Sequence, residues 1–334
     1  MKKKISLFLA SIVLLCISTK PSFAVDMTYS VSADIPSNQI DKSLNYFDLM
    51  MKPGEEQDVS VTITNQSDEK ETFKLSINNA LTTENGEIDY TNHGVEPDES
   101  LNYSMEKLVT NNRQEVEIKP GETTKVIFRI SLPTEKIEGI VLGGIHISKQ
   151  QKETASNKKN MTIKNTYSYI IGLQIRQETT SVTPEINLTD IKTSLVNNHL
   201  TVVTNLQNSV ASLLRKVSID TKITKKQDSK LLMQTKKENM SIAPNTNFNF
   251  LIDGENAEFS SGLYTLNMHV SSDQGDWNFT KDFKVKNKQV IQMTEKVKTD
   301  NSRSVYILSS IIAVFILGGF FIYFMFKKSS SNET

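Results

Sequence analysis

Val59-Ser60-Val61-Thr62-Ile63-Thr64, closed by Asn65-Gln66-Ser67-Asp68, decides the fold class. Apolar and hydroxyl residues alternate with period two, so an extended chain turns Val59, Val61 and Ile63 to one face and the hydroxyls to the other. The closing Asn, Ser and Asp read as a turn. The pattern resumes at Phe73, Leu75 and Ile77, and again at Val126, Phe128 and Ile130, which end at Leu132-Pro133. Ile140 to Ile147 is a further apolar run, and its Gly143-Gly144 pair reads as a bulge or a close backbone approach. Lys52-Pro53-Gly54-Glu55 and Lys119-Pro120-Gly121-Glu122 each precede one of these runs. Proline sets φ and glycine supplies a positive-φ position, which makes both of them tight turns feeding strands of one β-sandwich. No helical pattern follows either, which excludes a phosphate-binding loop.

From Lys149 to Asn165 the composition shifts to Lys, Gln, Asn and Ser, the mark of a linker or a long exposed hairpin. Tyr167 to Ile175 is again strand-like and a candidate to close the first sandwich. A second series runs from Pro184 through Ile186–Ile191, His199–Leu206, Val217–Ile223, Leu231–Gln234 and Phe248–Ile252 to Gly262–Met268, then turns at Asp273–Asp276 and returns through Trp277, Phe279, Phe283 and Val285. Val210–Leu214 fits a helical turn or a strand equally. Trp277 is expected beneath the second sandwich. The fold class is all-β: two tandem immunoglobulin-like β-sandwiches, over 25–155 and 156–288.

Apolar segments stand at both ends. Lys2, Lys3 and Lys4 precede Ile5–Ile17, and Ser22-Phe23-Ala24 offers a cleavage site, so 1–24 is expected to be a signal peptide. Val305 to Phe326 is uninterrupted and apolar, followed by Lys327-Lys328. At 1.5 Å per residue that stretch spans roughly 33 Å, enough for one transmembrane helix. The lysines would hold residues 327–334 in the cytoplasm, with 289–304 as a stalk and everything N-terminal of it outside the cell. Cys16, the only cysteine, falls within the leader, and Leu15 before it does not suit lipidation. The mature chain would thus have no disulfide, thiol or cysteine-metal chemistry.

Charge is unevenly placed. Val25–Gln150 carries 11 Lys and Arg against 22 Asp and Glu, while Gln151–Ser304 carries 21 against 15. An acidic outer half and a basic membrane-proximal half suit different partners or mutual attraction. Neither is basic enough for nucleic acid.

No motif calls for catalysis, a cofactor or a metal. His93, His146, His199 and His269 are scattered away from metal-ligand spacing, and no nucleophile elbow or His-Glu-x-x-His occurs. Asp253-Gly254-Glu255 and Asp273–Asp276 lack calcium-loop spacing and read as turns. Tyr46, Tyr90 and Tyr103 lie near polar loops and are the candidate ligand-binding residues, as platforms for sugar rings, although core or edge packing is the more usual fate of a single aromatic of that kind.

The chain resembles the WxL-interacting proteins. The likeness rests on Tyr46-Phe47-Asp48-Leu49 up to Lys52-Pro53-Gly54, on Val59–Asn65, on Asn78 to Tyr90 including Thr82-Thr83-Glu84-Asn85-Gly86-Glu87-Ile88-Asp89, and on Ser261–Tyr264 through Trp277-Asn278-Phe279-Thr280-Lys281-Asp282-Phe283. The C-terminal apolar segment with its Lys-Lys tail also matches. The resemblance implies a Gram-positive surface protein of two immunoglobulin-like domains on one membrane helix. It also implies a first domain for peptidoglycan and a second for a host protein such as one of the extracellular matrix, together with assembly with a WxL-domain surface protein. Trp277-Asn278-Phe279 is not a Trp-x-Leu motif, which makes this chain the partner of such a protein. The expectation is a non-catalytic adhesin and scaffold. The alternatives are a carboxylate-dependent wall glycan hydrolase and an extracytoplasmic chaperone of secreted proteins.

Overall fold

A computed structural model describes residues 28–151, 167–180, 182–196, 199–226, 230–253 and 260–286. The expected leader, stalk and membrane segment lie outside the described residues, as do most of the 149–165 segment and Gly254-Glu255. Among the described residues no helix is long and apolar enough to cross a membrane.

The opening stretch lies in β3 (Glu56–Asn65), where Val59, Val61 and Ile63 are buried. β3 pairs antiparallel with β1 (Tyr29–Asp34) on one side and β8 (Thr123–Ser131) on the other. The two Lys-Pro-Gly-Glu turns feed β3 and β8, and Gly54 and Gly121 both stand at φ 70°. Asn65 is wholly buried because its side chain makes the turn after β3: Nδ2 donates to the carbonyls of Glu69 and Ile118, and Oδ1 accepts from Ser67 N.

The facing sheet has five strands in the order β2 (Phe47–Met50), β10 (Ser168–Arg176), β9 (Ile140–Lys149), β4 (Glu71–Asn79) and β7 (Arg113–Ile118). Only β2–β10 is parallel. Phe47, Phe73 and Phe128 fill the space between the sheets. Gly143-Gly144 forms no bulge, since the β9–β10 register is unbroken; it allows close approach. A Cβ on Gly143 would stand 2.6 Å from Asn78 O and from Met105 of the one-turn helix α1 (Met105–Leu108).

The second pair of sheets is β11 (Ile186–Val196), β12 (His199–Asn208) and β15 (Thr246–Asp253), facing β14 (Leu231–Ile242), β13 (Leu214–Lys225), β16 (Gly262–Ser272) and β17 (Gly275–Val285). Its separate core is built on Tyr264, Phe250, Leu266 and Ile219, with Trp277 packed at the margin. The undecided Val210–Leu214 segment is irregular up to Leu213, and β13 begins at Leu214.

β10 belongs to the five-stranded sheet of the first unit. Ile171, Leu173 and Ile175 of β10 are buried in the first core, and the second core begins at Ile186.

A polar joint fastens the two units. The short hairpin of β5 (Leu81–Thr82) and β6 (Ile88–Asp89) meets the turn between β14 and β15. Thr82 Oγ1 accepts from Ala243 N at 2.9 Å and lies 2.8 Å from Thr246 Oγ1, while Ser241 N donates to Gly86 O at 2.7 Å. Nearby, Asn245 Nδ2 donates to Ser100 O, and Asp98 accepts from Gln207 and Asn247. Ile140 N donates to Ala211 O at 2.9 Å. Buried polar groups cost little only when paired in this way.

Candidate functional site

A hollow of about 740 Å³ lies where the first sandwich is left open beside the joint. Its floor is set by a cross-strand glycine pair, Gly172 of β10 opposite Gly144 of β9. Tyrosines replace the missing side chains. A Cβ on Gly172 would be 3.7 Å from Tyr46, and one on Gly144 would come within 2.8 Å of Tyr90. Two aromatic groups thus lie over adjacent glycines on the outer face of the five-stranded sheet.

Each tyrosine is held by its backbone. Gln39, almost fully buried, donates through Nε2 to Tyr46 O at 2.9 Å and accepts from Asp48 N at 3.0 Å. Asp48 in turn binds both Gln174 and the Arg176 guanidinium across β2–β10. Asn78 Nδ2 donates to Tyr90 O at 2.6 Å, and its Oδ1 lies 3.0 Å from His93 Nδ1. Glu106 accepts from Gly94 N and lies 3.6 Å from His93, fixing the loop that carries Tyr90. These polar groups are committed to loop structure.

Arg215 enters from the second unit. The β13–β14 register shifts between Leu214 and Val217, and Lys216 sits in the left-handed region at φ 51°. Such a bulge re-aims neighbouring side chains, and a non-glycine residue held there costs of order 1–3 kcal/mol. Arg215 lines the hollow with Leu213, and among the described residues no carboxylate pairs with it. Burial pushes the Tyr90 hydroxyl up to about 12; Arg215 pulls it back and Tyr46 pushes it further up. The phenol is therefore a neutral hydrogen-bonding group across the physiological range.

Of the three tyrosines singled out from sequence, the structure brings Tyr46 and Tyr90 together and places Tyr103 elsewhere. Tyr103 lines a separate hollow of about 360 Å³ at the joint with Ile137, Val141 and Val210, and packs on the first core. His146, on β9, is half-buried, and burial lowers its basicity against the opposing pull of Asp89. Among the described residues no group of three or more His, Cys, Asp or Glu could hold a metal ion. Gln39, Asn78 and Arg215 went unnoticed in the sequence, since nothing local distinguishes them.

Two disulfide-free β-sandwiches, joined by a fixed polar seam and opening on an aromatic cleft, define a tandem-sandwich binding protein. Residues 29–149 match the peptidoglycan-binding domain of WxL-interacting proteins, and residues 158–295 match the host-binding domain of the same proteins. The chain belongs to the WxL-interacting protein family. The second match begins before β10, ahead of the point where the core changes.

No curated protein matches the chain. Among solved structures, it is similar to the E. coli chaperone DraB, with 12% identity over 77% of this chain and 97% of that one, at a TM-score of 0.28. A Salmonella enterica SafA pilin–SafB chaperone complex gives 7% identity, 78% and 99% coverage and a TM-score of 0.29. The PapD-like domain 7 of human CEP192 gives 10%, 49% and 94% coverage, and 0.28. Scores this low add nothing on function.

Proposed function

We propose that this chain is a non-catalytic surface adhesin and scaffold whose first domain grips peptidoglycan in the aromatic cleft. The carrying observation is the placement of Tyr46 and Tyr90 side by side over Gly172 and Gly144, with Arg215, which no carboxylate pairs among the described residues, at the margin. Flat amphipathic rings suit sugar faces, and a guanidinium suits the carboxylates that peptidoglycan carries. In this reading the first domain extends through β10 and the second starts at β11, both with an immunoglobulin-like sandwich. The leader 1–24 is removed, the segment 305–326 anchors the protein in the membrane of a Gram-positive cell, and the second domain meets a WxL-domain protein or a host matrix protein. Family membership supports the two binding roles.

The test is co-sedimentation of residues 25–300 with purified peptidoglycan at low and high salt. Truncating both Tyr46 and Tyr90 to Ala should weaken pelleting by about tenfold or more, as loss of buried aromatic anchors does. Undiminished pelleting of the double variant would reject this cleft as the wall site. Release of soluble fragments from the wall would instead make the protein a hydrolase.

A further inference from the structure

β10 is paired on both sides for only part of its length. β9 accompanies it from Ser168 to Arg176, whereas β2 joins only from Leu173 onward. Among the described residues no strand lies beside Ser168–Ile171 on that side. In the opposite sheet β1 is an edge, bonded to β3 alone. The hollow runs between these two edges and is lined by Val31, Ala33, Ile35, Leu44, Ile170 and Leu173. We propose that it receives an extended segment of a partner protein, which adds to β10 as a strand in line with β2 and sets a carboxylate against Arg215.

The edges themselves point to a peptide. Proteins protect exposed sheet edges with charge, proline, bulges or a covering element. Here β7 carries Arg113, Glu115 and Glu117; β8 carries Lys125 and Arg129; β11 has Asp190 and Lys192; β14 has Lys236, Lys237 and Glu238; and β17 has Lys281, Asp282 and Lys284. The β15 edge meets the β5–β6 hairpin. By contrast, Ser168-Tyr169-Ile170-Ile171 has no charge and no proline, and β1 has only Asp34 at its end. Ile170 is 42% exposed. An uncharged row of main-chain donors and acceptors is completed by another strand, and alternate apolar side chains supply its specificity.

The far end of the cleft is closed. Tyr169 Oη donates to Tyr29 O at 3.2 Å, Tyr29 Oη donates to Tyr167 O at 3.0 Å, and the Tyr29 and Tyr169 rings meet edge to face. The open end leads to Tyr46 and Arg215. A segment of five or six residues, roughly 17–20 Å long, therefore fits with apolar residues at alternate positions and an acidic residue at the Arg215 end. The Arg215 guanidinium, without a carboxylate partner among the described residues, supplies the charge complementarity.

This inference shares the cleft and Arg215 with the peptidoglycan reading, but turns on Ile170 and the open β10 edge where that reading turns on Tyr46 and Tyr90. The test is selection of a displayed ten-residue peptide library, with alternate positions apolar, against residues 25–300, followed by binding to Ile170→Lys. Enriched peptides should share an acid at one end, bind Ile170→Lys at least tenfold more weakly, bind Arg215→Gln more weakly, and protect the amides of Ser168–Ile171 from hydrogen exchange. Absence of enrichment, or enriched peptides that bind Ile170→Lys equally, would overturn the strand-acceptor role. Unchanged melting checks that Ile170→Lys folds. Pelleting with peptidoglycan should survive Ile170→Lys and fail in the Tyr46/Tyr90 variant, which separates the fates of the two readings.

Discussion

The first sandwich has two incomplete margins, and they are finished in opposite ways. Where it meets the second unit, Thr82, Gly86, Asp98, Ser100 and Ile140 find hydrogen-bond partners across the boundary, several of them buried. Where β10 outruns β2, no strand lies beside it among the described residues, and the residues around it are mainly apolar or aromatic. One margin is a joint and the other a receptor. A satisfied polar seam fixes geometry, because any partial separation strands donors and acceptors. An unsatisfied edge keeps its capacity for an outside ligand. The joint also delivers Arg215 to the cleft, so rigidity at one margin serves recognition at the other.

The joint should break most severely at Gly139. It stands at φ 72°, and a Cβ there would lie 2.2 Å from Ala211 O. Gly139→Ala combines positive-φ strain with loss of the Ile140–Ala211 hydrogen bond, and should destabilise residues 25–300 by about 3 kcal/mol. Urea unfolding should then resolve two transitions as the units uncouple. A loss under about 1 kcal/mol would show that the seam tolerates separation.

Thr82→Val is the next largest test. It keeps the shape but deletes the oxygen that Ala243 N uses, and Ala243 is fully buried. An unsatisfied buried amide costs about 1–3 kcal/mol. Thr82→Ser should recover most of it. If Val and Ser behave alike in denaturant, the hydroxyl is not what holds the seam.

Strand faces were legible because period two is a local property: Val59, Val61, Ile63, Phe73 and Phe128 are buried as expected. Gly143-Gly144 was legible as a special backbone site, although only the fold reveals that Tyr90 and Met105 occupy the vacated space. Tyr46 and Tyr90, 44 positions apart, could be chosen individually but not as a pair, since their meeting depends on the β9–β10 register. Tyr103 carried the same local signature and went to the joint. Arg215 had no signature at all: Leu-Leu-Arg-Lys-Val reads as an ordinary strand entry, and the bulge at Lys216 that aims it is a tertiary event.

Acid should weaken the joint more gently. Burial pushes the Asp98 carboxyl up, but hydrogen bonds from Asn247, from the Ser100 amide and hydroxyl, and from Gln207 outweigh it and hold the group below the usual carboxylate range. A carboxyl depressed on folding contributes fully above its unfolded value, near 3.9, and loses that contribution as pH falls through the folded value. The protection of amides at the β14–β15 turn, taken relative to their intrinsic exchange rates, should therefore fall below about pH 4. In Asp98→Asn that acid-dependent step should vanish; its persistence would assign the acid sensitivity to other groups.

Arg215→Gln should have the smallest effect on stability and the sharpest diagnostic value. The side chain is exposed, pairs with no carboxylate among the described residues, and lines the cleft without joining the seam. Surface substitutions of that kind stay within about 0.5 kcal/mol. The variant should match the parent in urea and lose affinity only for carboxylate-bearing ligands. A stability loss above about 1 kcal/mol would mean that Arg215 belongs to the joint after all. The distinction between a satisfied margin and a receptive one would then fail at the residue where the two meet.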